Sequence, residues 1–421
     1  MKEKLLQYIW QFQYFNKNEL TTTEGDLLQI IRQGNYNTNQ GADFSEAKIK
    51  IETTTWAGNI ELHIKSSDWN LHNHSADKNY SNIILHVVWQ HDKEINVAGN
   101  NLPTLELQNR VSKLLLNKYE ALMNATSFIP CENLVYTIND LTLSGWKQRL
   151  LAERLEAKSA MIFSFLNQNN FHWEETFWWL IAKNFGVKVN SEAFEKMARS
   201  LSVTLLAKHK NQIHQLEALL FGQARLLEND FTEDYPKMLQ KEYRFYKKKY
   251  KLEQPQVQLF SLRMRPANFP TVRLAQLAML ISNRTHLFSK VKESVSVSGV
   301  QKLLNVTAND YWHYHYVFDE TSAFRKKRLG EQMINNILIN TIVPVLFAYG
   351  LHHNEQQYKD KAIAWLEEIS PEKNVITKGF EALKFSNKNS FDSQAYIQLK
   401  NEYCNNKRCL ECSIGNSLLK G

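Results

Sequence analysis

Residues 41–69 read GADFSEAKIKIETTTWAGNIELHIKSSDW, and the alternation inside them decides the N-terminal fold. Ala47, Ile49 and Ile51 interleave with Glu46, Lys48, Lys50 and Glu52. An apolar period of two residues turns one face of a strand to a core and the other to water. Ala57-Gly58-Asn59 has turn chemistry, so a second strand is expected after it. In that strand Ile60, Leu62 and Ile64 point one way and Glu61, His63 and Lys65 the other. Asp68–Asn82 is polar, irregular or briefly helical. Ile83–Trp89 is nearly continuously apolar, as in a strand covered on both faces.

Working outward, Thr21-Thr-Thr-Glu24 has the spacing of a capping box. It predicts a helix through Leu27, Leu28, Ile30 and Ile31 that stops at Gly34. Leu105–Leu122 is also expected to be helical. From about Leu143 a helical period dominates: Trp146–Phe165, Trp173–Asn184, Ala193–His209, His214–Leu227, then Val272 onward and Gly330 to about Tyr349. The expected fold is α+β. A small mixed-sheet domain spans 1–135, an all-helical body 136–400 and a cysteine-rich knuckle 401–421.

The chain has 421 residues, a formal charge of +8 and a pI near 9.0. That excess permits a polyanion such as nucleic acid as partner, and a lysine-rich solvated surface accounts for it equally well. Met1–Phe15 lacks the apolar core of a secretory leader. The longest apolar run, Ile337–Leu351, contains Asn340 and is too short to span a bilayer. A cytoplasmic chain with no membrane partner is therefore expected.

The chemistry concentrates between Gly41 and Asp92. Residues two apart on a strand share a face, so Glu61, His63 and Lys65 project together, and a hairpin would bring Asp43 toward Glu61. Two carboxylates and an imidazole suit magnesium or manganese, with Asp43, Glu61 and His63 as ligands and Lys65 to stabilise charge. Asp68, His72, His74 and His86 form a second candidate set, and together with His63 they are the basis of a rival zinc-hydrolase reading. A solvated polar sheet face is the plain alternative for both.

A glutamate, an aspartate-bearing strand, a strand with Glu61-x-His63-x-Lys65, then a helix and another strand resemble the PD-(D/E)XK (restriction-endonuclease-like) nuclease core. The resemblance implies that Glu24 is the helix acid, Asp43 the aspartate and Glu61 the third-motif glutamate, with His63 in the lysine position and Lys65 two residues on. It implies a metal-dependent phosphodiesterase or nuclease, or a degenerate, non-catalytic nucleic-acid-binding or assembly module. The chain as a whole, with its terminal Tyr-Cys-x4-Cys-x2-Cys, resembles an uncharacterised bacterial family.

Cys404, Cys409 and Cys412 form a compact thiol set, and Cys131 is the fourth cysteine. Together they suit one zinc ion or one iron–sulfur cluster in a structural role; buried free thiols are the alternative. Lys241–Lys251 carries six basic residues against one acid, with Tyr243, Tyr246 and Tyr250 on one helical face. Lys247 and Lys248 are candidate phosphate contacts there, and an amphipathic helix with tyrosines inward and lysines in water is the plain alternative. Arg263, Arg265, Asn268 and Arg273 surround a proline-stiffened loop entering a helix, a second candidate nucleic-acid contact. Trp312-His-Tyr-His-Tyr316 offers aromatic rings for base stacking or for a core.

Overall fold

In the computed structural model, which describes residues 1–37, 40–72, 77–97 and 99–420, the alternating stretch forms the middle of a mixed sheet. Its strands are β1 (Leu28–Arg32), β2 (Asn35–Tyr36), β3 (Phe44–Ile51), β4 (Thr54–Lys65) and β5 (Ile83–Gln90). β6 (Asn96–Val97) and β7 (Asn100–Asn101) make a separate hairpin, and β8 (Thr104–Glu106) rejoins the sheet. The order is β1-β3-β4-β5-β8, with β2 also on β3. β1, β3 and β4 pair antiparallel, whereas β4, β5 and β8 are parallel. Parallel pairing needs a crossover, and the polar stretch after β4 supplies it with the short helix α2.

Helix α1 (Glu3–Gln11) buries Leu5, Leu6, Ile9 and Trp10 and packs on β4. Each such side chain removed from water contributes about 1.5–3 kcal/mol. On α2 (Asp68–Leu71), Trp69 is fully buried with Ile95 and Leu102 in a small second core. α3 (Lys113–Asn124) follows β8, with Ser112 accepting from the Leu114 N–H as its N-cap.

Three local signals lose to tertiary pairing. The stretch after Thr21 is not helical: Gly25 takes φ +98° in a turn, and Leu28–Arg32 pairs with β3. A capping box stabilises a helix end by about 1 kcal/mol, less than a strand's pairing and burial provide. Ala57-Gly58-Asn59 lies inside β4, and the hairpin turns at Glu52–Thr53 instead, with Glu52 at φ +51°. Gly58 is required for close approach: a Cβ there would lie 2.5 Å from Ile84 Cγ2 and 2.6 Å from the Asn82 carbonyl oxygen. Within Leu105–Leu122, Thr104–Glu106 is strand and the helix starts only at Lys113.

The chain divides into two units, residues 1–146 with 399–421, and residues 147–398. The second is helical, from α4 (Asp140–Gln168) through α5 (Trp173–Phe185), α6 (Ser191–Arg199), α7 (Val203–Lys208), α8 (Ile213–Gln223), α9 (Asp234–Tyr250) and α10 (Pro270–Asn283) onward. The single helix expected over Ala193–His209 breaks into α6 and α7, because Ser202 caps a new helix through the Leu205 N–H. Trp312 is fully buried and stacks on Phe221 with centroids 5.1 Å apart, so it serves the core. Glu331–His352 is one continuous helical stretch, close to the helix expected from Gly330 to about Tyr349 and longer than the apolar run Ile337–Leu351 within it. A π-helical turn at Leu338–Ile342 carries Asn340 without breaking it. The stretch is apolar and long enough to cross a membrane, and 72% of its most apolar window is buried.

Candidate functional site

The hairpin places Asp43 beside Glu61. Phe44 is in register with Ile60, and a bulge between Phe44 and Ala47, with Glu46 at φ +55°, re-aims the start of β3. The Asp43 N–H donates to Glu61 Oε2 at 3.0 Å, and the Leu62 N–H donates to Asp43 Oδ2 at 3.1 Å. Gln7 Nε2 donates to Asp43 Oδ1 at 2.8 Å, and the Tyr36 hydroxyl donates to Gln7 Oε1 at 3.2 Å.

Burial pushes both carboxyls well above the usual carboxylate range. The Glu3 charge adds to the shift of Asp43, and the Asp43 and Glu3 charges add to that of Glu61. Glu3 is itself raised by burial, against a lowering influence from His72. Tyr80 is pushed up to about 12 by burial and by the Glu61 and Asp43 charges. Three acids thus share one partly desolvated region, where like charges disfavour full ionisation.

The imidazoles join them. His63 Nε2 lies 3.8 Å from Glu61 Oε1. His63 Nδ1 is 2.9 Å from His86 Nε2, and His63 Nε2 is 3.1 Å from His72 Nδ1. His63 and His86 are buried, and His72 is exposed. The chain of rings therefore runs from the interior to the surface, and the two candidate sets meet at His63.

Other candidates lie elsewhere. Lys65 is exposed, and its charge acts on Asp92. Asp68 Oδ2 accepts the Lys65 N–H at 2.9 Å and closes the end of β4. Glu24 lies in the turn before β1, where it accepts from Asn101 Nδ2 at 2.8 Å, remote in role from the helix acid expected of it. His74 lies outside the described residues. Among the described residues, no group of three or more His, Cys, Asp or Glu stands ready to hold a metal ion. Glu3 and Gln7 are the members that sequence reasoning missed. Their signal was an i, i+4 pair on one stripe of a short amphipathic helix.

The four cysteines are free thiols of the first unit. The tail is tied to the Cys131 segment: Lys400 Nζ donates to the Phe128 carbonyl at 2.6 Å, and Lys407 Nζ to the Met123 carbonyl. Burial raises all four thiols. The neighbouring cysteines add to the shift of Cys131, which reaches about 12, and of Cys404. Gly415 sits under the Cys409 carbonyl, where a Cβ would come within 2.2 Å of the oxygen. Gly415→Ala is expected to destabilise this segment by about 1–3 kcal/mol through overpacking, read as a lower melting temperature with unchanged helix content.

In the second unit, Arg263 and Arg265 are exposed on the loop before α10, whereas Arg273 is buried and held by Asn268. On α9, Lys247 and Lys248 are exposed while Tyr243 and Tyr246 face the core.

The chain matches, over residues 3–375, the model of a family described as Protein of unknown function (DUF2851). The protein belongs to that family. No curated protein and no solved structure matches it.

Proposed function

We propose that this member of a family of unknown function is a divalent-metal-dependent phosphodiesterase acting on nucleic acid, with its centre at Asp43, Glu61 and His63. The observation that carries the reading is the direct pairing of Asp43 with Glu61 in the field of a third acid, Glu3. Order along the chain supports it. A helix with an acid, an aspartate at a strand start, a strand with Glu61, a short helix and a parallel strand follow one another as in the nuclease core, with Glu3 in place of Glu24. The same arrangement supports a nuclease-like α+β core for residues 1–135.

By donor type, two carboxylates and an imidazole suit magnesium or manganese, and binding would have to draw the three side chains together. Carboxylates whose pKa is raised by burial and by neighbouring acid charges are relieved by a cation, and an imidazole beside them favours manganese over magnesium. When bound, such an ion polarises a phosphoryl oxygen and acidifies a coordinated water. Gln7 and the Leu62 N–H orient Asp43, the Asp43 N–H orients Glu61, and the ring chain behind His63 fixes that imidazole. The test is cleavage of DNA and RNA with magnesium or manganese. Activity lost in Glu61→Ala with unchanged nucleic-acid affinity is the expected result. Binding without metal-dependent cleavage in the wild type rejects it and leaves a non-catalytic binding module.

A second reading rests on the His63–His72 contact at 3.1 Å with Glu61 Oε1 nearby, a nitrogen–oxygen set that suits zinc. Stoichiometric zinc lost in His72→Ala supports it; metal content unchanged by that substitution rejects it.

For Cys131, Cys404, Cys409 and Cys412 we propose a structural soft-metal site: three of the thiols are buried and Cys404 partly so, burial raises all four, neighbouring cysteines raise Cys131, Cys404 and Cys409 further, and a cation that takes their protons relieves that cost. Protein purified anaerobically is expected to carry one equivalent of zinc, colourless, or an iron–sulfur chromophore, and to lose it in Cys409→Ser. Neither metal in the wild type overturns the assignment.

A further inference from the structure

The second unit holds two cations in its interior without a matching acid. Arg273 is 6% exposed and Lys327 is 4% exposed. Among the described residues neither has a carboxylate within ion-pair reach, and Arg273 Nε is buried with no hydrogen-bond partner. Arg273 Nη1 donates to Gln276 Oε1 at 2.9 Å and Nη2 donates to Asn268 Oδ1. Lys327 Nζ donates to the carbonyls of His313 at 3.4 Å and Arg325 at 3.3 Å, and lies 3.7 Å from the Tyr316 ring centre. All these partners are neutral. Taking an ion out of water costs several kcal/mol, and neutral dipoles return only part of it.

One seam joins the two cations. Gln276, which accepts from Arg273, donates through Nε2 to the Lys327 carbonyl at 3.1 Å, and the Thr271 hydroxyl donates to the Tyr316 carbonyl. The seam lies at the first turns of α10, a 14-residue helix that begins at Pro270. A helix N-terminus carries partial positive charge, which disfavours a cation and favours an anion. Arg263 and Arg265 on one side, and Arg325 and Lys326 on the other, are exposed and add a positive rim.

We propose that the first turn of α10, with Arg273 and Lys327, is a binding site for a phosphate group. A guanidinium fork, an ammonium and a helix N-terminus together suit a tetrahedral anion with several acceptor oxygens better than a halide or a single carboxylate. The group comes either from a free phosphate or nucleotide, or from the backbone of a nucleic acid. The site does not rest on the phosphodiesterase reading, since it shares no residue with Asp43, Glu61 or His63.

The test is calorimetric titration of the full chain with inorganic phosphate, with ATP and with a short single-stranded oligonucleotide. Saturable phosphate binding is expected, weakened by at least roughly tenfold in Arg273→Gln and in Lys327→Gln, as for loss of one charge-assisted hydrogen-bonding group. All titrations are run without divalent metal and read binding alone, so that a failed nuclease reading leaves this result intact. Oligonucleotide displaced by phosphate identifies the backbone as the source; phosphate binding without displacement identifies a free phosphate or nucleotide. No phosphate binding by the wild type, or wild-type affinity in Arg273→Gln, overturns the site. Should Arg273→Gln fail to fold, Lys327→Gln decides alone by the same criterion.

Discussion

Glu61→Gln is expected to lower metal-dependent cleavage by at least roughly a thousandfold, equivalent to about 4 kcal/mol of transition-state stabilisation. An amide keeps the size of the side chain and can still accept the Asp43 N–H, so the hairpin geometry survives. It removes the charge that would hold a divalent cation. The same change is expected to raise the melting temperature above neutral pH. Burial and the Asp43 and Glu3 charges disfavour ionised Glu61 in the folded state, and glutamine has nothing to ionise. Lost activity joined to gained stability is the signature of a site that holds strained charge for function. Lost activity with lost stability would instead make Glu61 a structural brace, and equal activity would end the phosphodiesterase reading. Turnover and thermal melts on the same two proteins, at several magnesium and manganese concentrations, separate these outcomes.

Glu217 governs the second large effect, on stability alone. It is fully buried on α8 and accepts from the Tyr235 hydroxyl at 2.6 Å, from Asn309 Nδ2 at 2.6 Å and from Trp312 Nε1 at 3.2 Å. Burial outweighs these donors and raises its carboxyl from 4.5 to about 7. A carboxyl raised on folding binds its proton more tightly in the folded state. Its stabilising contribution is full below its unfolded value and is lost as pH rises through about 7. Across that window the loss amounts to roughly 3 kcal/mol. Chemical denaturation at pH 5, 7 and 8.5 is expected to show falling stability, and Glu217→Gln to remove that part of the slope. Glu217→Ala is expected to cost about 3–5 kcal/mol at pH 5, since it leaves buried donors without an acceptor, and correspondingly less at pH 8.5, where the wild type has lost the contribution of its protonated carboxyl. A wild type and Glu217→Gln with the same pH slope would show that the carboxylate stays ionised.

The candidate site was partly legible because strands write their geometry into a period of two. Glu61 and His63 on one side of β4, and a hairpin bringing Asp43 to them, follow from alternation and turn reach. The place of the turn did not follow. Gly58 has turn chemistry, yet it serves the close approach of Asn82 and Ile84, a demand set by a strand distant in sequence. Glu24 failed as the helix acid because a capping box is a local preference, whereas β1 is stabilised by its pairing with β3. Glu3 went unread because nothing near it in sequence marks it; it matters only once α1 lies on β4.

By itself, then, the sequence determined what short-range periodicity can encode: an N-terminal α+β part, a helical remainder, the strand carrying Glu61 and His63, and a helix with Tyr243, Tyr246 and Tyr250 on one face. Only the tertiary structure decided which acid accompanies Asp43 and Glu61, and that His63 links His72 to His86. It alone brought the C-terminal segment from Leu399 into the first unit and, among the described residues, left Arg273 and Lys327 buried without acids. Periodicity reports which face of an element is apolar. The partner of a buried polar group is set by packing between distant segments, and the cost of desolvating that group is what makes the partner matter.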